Sequence, residues 1–274
     1  MDLFVTDLDG TLINKDRQVT KKSEEIINEL IKSGMNFTVA TARTPATAVE
    51  ILQNLDLKLP VALMNGVLIY DTKELKYIDI KYINIESTYK ILDIFEKYNK
   101  NPLVYGIVDN HLWVYHKEFE HAYEYNFYKE RADKELKTFV KISNYKESVL
   151  KSSIINFVAF DEYEKIKSIA EEIEKIEGIN VNYYKDVYED CYFLEAYSSE
   201  ASKANGIKYL SKYINYKNVI CFGDNLNDIP MFELANEAYA TANATEEVKK
   251  IATGVIGSCE EEGVAEFLKE RFQN

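Results

Sequence analysis

The chain has 274 residues, 46% hydrophobic and 29% charged, with a formal net charge of −13. That acidity argues against a nucleic-acid partner, which needs a basic face to neutralise phosphates, and no apolar run approaches the roughly 20 residues that span a bilayer. The length exceeds the common domain size of about 100 to 150 residues and favours two domains. Three widely spaced cysteines, Cys191, Cys221 and Cys259, argue against a disulfide framework or a zinc site.

The chain enters an apolar run almost at once, with no basic region before it, so no signal peptide is expected and cytosol is the default. Leu3-Phe4-Val5-Thr6 reads as a buried strand, which sets Asp7 at its carboxyl end ahead of the turn Asp9-Gly10-Thr11. Two carboxylates at such a place are costly to desolvate, and a bound cation keeps both ionised. With Mg²⁺ present, one carboxylate can attack phosphorus while its neighbour handles protons. Asp-x-Asp-Gly is also ordinary turn chemistry with solvated acids, and these residues alone leave both readings open.

Thr20 can cap a helix that runs to about Ser33, with Ile26, Ile27, Leu30 and Ile31 at helical spacing and Gly34 as its stop. A strand over 37–41 follows, then a helix opened by Thr44-Pro45, then the strand Val61-Ala62-Leu63-Met64 ended by Asn65-Gly66. Strand and helix in alternation at short intervals predict a parallel sheet with helices on its faces. After about Lys81 the rhythm changes. Alternating strands over 103–108 and 112–115 flank Asp109-Asn110, a hairpin signal, and a longer helix is expected over 162–177. The parallel-sheet pattern returns near Glu195, with a helix over 202–213, the strand Val219-Ile220-Cys221-Phe222, and Gly223-Asp224-Asn225-Leu226-Asn227-Asp228 opening another helix. The expected fold class is therefore α/β, a doubly wound, mostly parallel Rossmann-like core (1–81 and 191–274) interrupted by an α+β insertion (82–190).

In open α/β sheets, ligands bind in the crevice outside the carboxyl ends of the strands, and Asp7, Thr41 and Asp224 all fall on that rim. The ordered set Asp7-x-Asp9-Gly10-Thr11, Thr41-x-Arg43, Lys203 and Gly223-Asp224-x-x-Asn227-Asp228 resembles the haloacid dehalogenase (HAD) superfamily. The likeness is to its Cof-type phosphatases, which insert a type IIB α/β cap between the threonine and lysine motifs. Asn65-Gly66, Asn243-Ala244 and Gly263-Val264-Ala265 agree with that pattern.

The resemblance implies a Mg²⁺-dependent phosphatase acting on small phosphorylated metabolites, with sugar phosphates as the leading class and no obligate protein partner. Asp7 would be the nucleophile that forms an aspartyl-phosphate, and Asp9 the general acid and base. Asp7, the Asp9 carbonyl oxygen and Asp224 would hold the metal, with Asp228 in a supporting or water-mediated role. Thr41, Ala42, Lys203 and Asn227 would hold the phosphoryl oxygens. Two rivals are a sugar-phosphate phosphotransferase or mutase and a non-enzymatic sensor of a phosphometabolite.

Two departures from the family pattern stand out. Ala42 replaces a usual glycine, and Ser258-Cys259-Glu260 replaces a segment that commonly holds asparagine. Arg43 reads as a structural ion-pair partner and stays outside the expected site. His111, His116 and His121 lack helical spacing and thiolate company, which weighs against zinc. The segment 82–190 holds thirteen of the twenty-one tyrosines, a surplus that reads more readily as packing or compositional bias than as ligand binding.

Overall fold

The computed structural model describes residues 2–185 and 190–273, and in it the alternation at the start of the chain becomes a parallel sheet. Strand β1 (Asp2–Thr6) leads to helix α1 (Lys21–Lys32), β2 (Asn36–Val39), α2 (Pro45–Leu52), β3 (Val61–Leu63), β4 (Leu68–Asp71) and β5 (Lys76–Ile80). α1 begins where Thr20 accepts a hydrogen bond from the Ser23 amide at 3.2 Å, and α2 begins with Pro45, where no amide hydrogen is needed. The middle of the chain supplies α3 (Ile85–Lys97), β6 (Leu103–Val108), β7 (His111–His116), α4 (Ala122–Lys129), β8 (Lys137–Lys141), α5 (Tyr145–Val149), β9 (Ser153–Asp161), α6 (Tyr163–Ile173), β10 (Ile179–Lys185) and β11 (Tyr192–Ser198). The remainder forms α7 (Lys203–Tyr209), β12 (Asn218–Gly223), α8 (Ile229–Leu234), β13 (Glu237–Thr241), α9 (Glu246–Ile251), β14 (Gly254–Ile256) and α10 (Gly263–Gln273). These elements divide into two compact units, Met1–Asp79 with Ala201–Asn274, and Ile80–Glu200.

In the first unit the strand order is β14-β13-β12-β1-β2, every neighbour parallel, and a parallel bridge from Ala40 to Ala62 links the β2 side to the hairpin strands β3, β4 and β5. Alternate residues of the central strands point to opposite faces. Leu3, Val5, Val219 and Cys221 pack with Ile207, Met231, Phe232 and Val248 from α7, α8 and α9. On the other face Phe4 meets Phe272 and Phe222 meets Phe267, both from α10 and both with ring centroids 5.5 Å apart. Helices therefore cover both faces of a doubly wound sheet. Because β1 and β12 are its central pair, the segments that leave their carboxyl ends run side by side, and the Asp7 amide donates to the Phe222 carbonyl at 3.0 Å.

The second unit is α+β, with a sheet ordered β10-β11-β9-β6-β7-β8 that is antiparallel except for the β7–β8 pair. Val104, Phe157, Leu194 and Ala196 line the face that packs on Ile91, Leu92 and Phe95 of α3 and Ile166, Ile169 and Ile173 of α6. Asp109 and Asn110 turn the β6–β7 hairpin with positive φ angles of 48° and 60°, the left-handed conformation that these residues tolerate. β11, where the sequence suggests a return to the core, pairs with β9 and β10 instead, and the unit closes at Glu200 rather than at 190. An alternating strand carries the same pattern in either sheet, so its partners are not written in its periodicity. Among the described residues no helix is long and apolar enough to cross a membrane.

Candidate active site

Four of the expected residues meet at the carboxyl ends of β1 and β12. Asp7 follows β1 and is buried. Lys203, the first residue of α7, is buried too, and its Nζ lies 2.8 Å from Asp7 Oδ1 and 2.6 Å from Asp228 Oδ1. Ser202 caps that helix, its side chain accepting from the Asn205 amide at 3.0 Å, and so fixes where Lys203 leaves the backbone. Asp228 is fully buried, and its Oδ2 accepts from the amides of Asp224 and Asn225 at 2.8 and 3.0 Å. This loop closure requires Gly223, because a Cβ there would stand 2.6 Å from the Asp228 carboxyl group. Carboxylate oxygens of Asp7, Asp224 and Asp228 lie within 4.8 Å of one another.

Gly10 brings the turn after β1 against Asp224. It has a φ of +72°, and a Cβ built on it would lie 2.2 Å from Asp224 Oδ2, so only glycine fits there. Its carbonyl accepts from Asn243 Nδ2 at 2.8 Å and Thr241 Oγ1 at 3.2 Å. Thr11 donates to Asp224 Oδ1 at 3.2 Å. Asn243 Oδ1 in turn accepts from the Cys259 amide at 3.0 Å, which ties the departing Ser258-Cys259-Glu260 segment to the same network.

Of the other expected residues, Thr41 and Ala42 follow the neighbouring strand β2, and Asp9 and Asn227 lie in the loops after β1 and β12. Thr41 is buried just past β2, where its amide donates to the Ala62 carbonyl at 2.9 Å and its Oγ1 accepts from the Arg43 amide at 3.3 Å. Ala42 lies between them, partly exposed. Asn227 is exposed, and its Nδ2 lies 3.4 Å from Asn65 Oδ1. Asp9 is mostly exposed and is forked by Arg43, with Nε to Oδ2 at 2.7 Å and Nη2 to Oδ1 at 2.6 Å. Arg43 thus acts as an ion-pair partner, and its carboxylate is one of the motif's own. Thr11 and Thr241 have no role in the sequence reading. Thr11 stands inside the quoted Asp-x-Asp-Gly-Thr run, whereas nothing local marks Thr241.

Burial, and then the carboxylates of Asp228 and Asp224, push the Asp7 carboxyl up to about 8 against the pull of Lys203. Burial and Asp228 likewise push Asp224 up to about 7. Burial opposes the charge on Lys203, but Asp228 and Asp7 outweigh it and hold the ammonium above its usual range. Were all three carboxylates ionised around the one ammonium, two negative charges would lack a counter-charge, which is why Asp7 and Asp224 hold their protons so far above the usual range.

A model of the haloacid dehalogenase-like hydrolases matches residues 4–268. The chain belongs to that family. This HAD hydrolase is 25% identical to a 5-amino-6-(5-phospho-D-ribitylamino)uracil phosphatase of Bacillus subtilis, YitU, over 98% of this chain and 97% of the relative. It is also 25% identical to a haloacid dehalogenase-like hydrolase of B. subtilis of known structure, which it matches with a TM-score of 0.79 over 98% and 99% of the two chains. The structure of a HAD subclass IIB sugar phosphatase, 19% identical, shares the fold with a TM-score of 0.75 over 98% of each chain. This HAD hydrolase is an enzyme of the phosphatase class.

HAD hydrolases use a divalent metal, and the residues present fit one. The donors are hard oxygens, and a cation there would let Asp7 and Asp224 ionise together. Asp7 Oδ1 is also buried, with the Lys203 ammonium 2.8 Å away as its ion-pair partner. His121 groups with Glu120 and Asp161 in the second unit, but there Lys100 Nζ already lies 3.1 and 3.2 Å from the two acids and supplies the cation.

Proposed function

We propose that this phosphatase hydrolyses small organic phosphate esters, sugar or polyol phosphates foremost, through an aspartyl-phosphate, with Mg²⁺ as cofactor, in the cytosol. The observation that carries the reading is the placement of buried Lys203 between Asp7 and Asp228 with Asp224 beside them. The B. subtilis relative, named for a phosphorylated ribityl substrate, supports the choice of a polyol phosphate.

Asp7 Oδ1, held 2.8 Å from the Lys203 ammonium, attacks phosphorus. Asp7, Asp224 and the Asp9 carbonyl would hold Mg²⁺, which supplies counter-charge to the transferring phosphoryl group. Lys203 balances the nucleophile and the phosphoryl oxygens, while Thr41, the amide of Ala42 and Asn227 orient those oxygens. Asp228 takes a positioning role. It anchors Lys203 and closes the Asp224 loop through two backbone amides. Asp9 protonates the leaving oxygen and then takes the proton of the attacking water. Arg43 occupies both of its carboxylate oxygens, so turnover includes a step in which that fork opens.

The test is phosphate release from a panel of phosphorylated metabolites, with and without Mg²⁺, by wild type and Asp7→Asn. Inorganic phosphate that appears only with Mg²⁺ and only in wild type is the expected result. Transfer of the phosphoryl group to a sugar hydroxyl, with no inorganic phosphate, would move the enzyme to the phosphotransferases. Equal release after chelation would remove the metal from the reading.

A further inference from the structure

The connection from β3 to β4 is more strained than a hairpin requires. Met64, Asn65 and Gly66 hold positive φ in succession, at 51°, 54° and 85°. A two-residue hairpin loop places at most two residues in that region, and a methionine there is uncommon. Strain of this kind persists where the surroundings over-determine it, and it gathers at binding sites.

The surroundings here are the three segments that carry Thr41 and Ala42, Lys203, and Asn227. The amide of Asn65 donates to the Thr41 carbonyl and that of Met64 to the Arg43 carbonyl, both at 3.0 Å, so the turn pins Ala42 from either side. Gly66 lies against the start of α7. A Cβ on it would stand 2.1 Å from the carbonyl oxygen of Ser202, the residue before Lys203. The side chain of Asn65 reaches the third segment, where its Oδ1 accepts from Asn227 Nδ2 at 3.4 Å. Asn65 is 6% exposed whereas Asn227 stands in solvent, so the first is the fixed partner and the second the adjustable one. An exposed asparagine samples several rotamers, and a hydrogen bond to a buried acceptor narrows them. Asparagine tolerates the left-handed backbone and brings a neutral acceptor to it; aspartate would set another negative charge beside an incoming phosphoryl group.

We propose that Asn65 is a positioning residue for phosphoryl recognition: from the strained turn, its side-chain oxygen engages one Nδ2 hydrogen of Asn227 and turns the other toward the phosphoryl oxygens. A carboxamide nitrogen carries two hydrogens, so one can be spent on orientation and the other on the ligand. The inference rests on the hydrolase reading above, in which Asn227 holds a phosphoryl oxygen.

The probes are orthophosphate, whose binding is followed by calorimetry with saturating Mg²⁺, and p-nitrophenyl phosphate, whose hydrolysis gives kcat and KM. Asn65→Gly keeps the left-handed turn and deletes only the side chain, with Asn65→Ala as the substitute should the glycine variant fail to fold. Orthophosphate should bind Asn65→Gly about fivefold more weakly than wild type, the scale of one neutral hydrogen bond. In Asn227→Ala the loss should reach at least about tenfold, since a charge-assisted bond goes. The double variant should stay within about twofold of Asn227→Ala, because the two residues act in series. With p-nitrophenyl phosphate, Asn65→Gly should raise KM by about the same fivefold and keep kcat within about twofold, as expected for an oxygen held alike in ground and transition states. Equal weakening by Asn65→Gly with and without the Asn227 side chain would make the turn a structural support only and overturn the proposal. Orthophosphate binding unchanged in Asn227→Ala, or a fall in kcat with KM unmoved, would overturn it too. Hydrolysis by wild type is read separately. A protein that binds orthophosphate with this coupling but leaves the ester intact keeps Asn65 in its role and loses the hydrolase reading, and one that hydrolyses the ester without the coupling does the reverse.

Discussion

Nζ of Lys203 stands 2.8 Å from one carboxylate and 2.6 Å from another with its side chain fully buried. Lys203→Met leaves Asp7 and Asp228 buried without their shared counter-charge, and breaking such a pair from one side costs about 3–5 kcal/mol. Urea unfolding should register that loss, and phosphate release should fall at least about a hundredfold with it. Lys203→Arg should not restore the rate, since a planar fork cannot replace a point charge that converges on two oxygens. Asp7→Asn should separate the two effects. It removes one of three mutually repelling carboxylates, so unfolding free energy holds or rises while activity falls roughly a thousandfold or more. A parallel loss of stability in both variants would mean that Asp7 is a structural partner of Lys203 and no nucleophile.

The turn after β1 tests how an element, rather than a single charge, shapes the site. Gly10 and Gly34 both hold positive φ, at +72° and +103°, but a Cβ on Gly10 meets Asp224 at 2.2 Å whereas one on Gly34 meets nothing within 4 Å. Alanine at either place pays left-handed strain of about 1 kcal/mol. Only Gly10→Ala should also displace Asp224, and a shift of that size costs about a hundredfold in rate. Steady-state phosphate release from the two variants checks this; equal rates would mean that the turn does not set the position of Asp224. Such closeness was legible in the chain to the extent that local rules reach. The short strands that carry Asp7, Thr41 and Asp224 to one rim are apolar runs that end in polar residues, and each reads correctly by itself. Long-range partners do not read that way. Asp9 and Arg43 are 34 residues apart, and Thr11 and Asp224 are 213 apart, so their contacts exist only once β2 and β12 are known to flank β1. The partners of β11 are hidden for the same reason, since its pairing with β9 and β10 is long-range.

Across the whole molecule, the acidic cluster links proton binding, metal binding and folding. Asp7 and Asp224 shift from an ordinary 3.8 to about 8 and about 7 in the folded, metal-free protein. Their folded values lie above their unfolded ones, so between about pH 4 and pH 8 the folded state holds more protons. The stability they contribute is complete below about pH 4 and is lost as pH rises through 7 and 8. A divalent ion needs those carboxylates ionised and binds the folded chain, so its stabilisation grows over the same window, reaching about 2.7 kcal/mol at a hundred times its Kd. Melting curves in chelator should therefore decline from about pH 5 to pH 8, while curves in saturating Mg²⁺ coincide with them at the acid end and separate upward at the alkaline end. Glu195, which burial pushes up to about 7, titrates in the same range and adds a decline of the same sign. It lies in the other unit and outside the metal-binding group, so its contribution cancels in the difference between the two series. A difference that stays flat from pH 5 to pH 8 would place the ion elsewhere, because nothing at Asp7 or Asp224 would then be exchanging protons for metal.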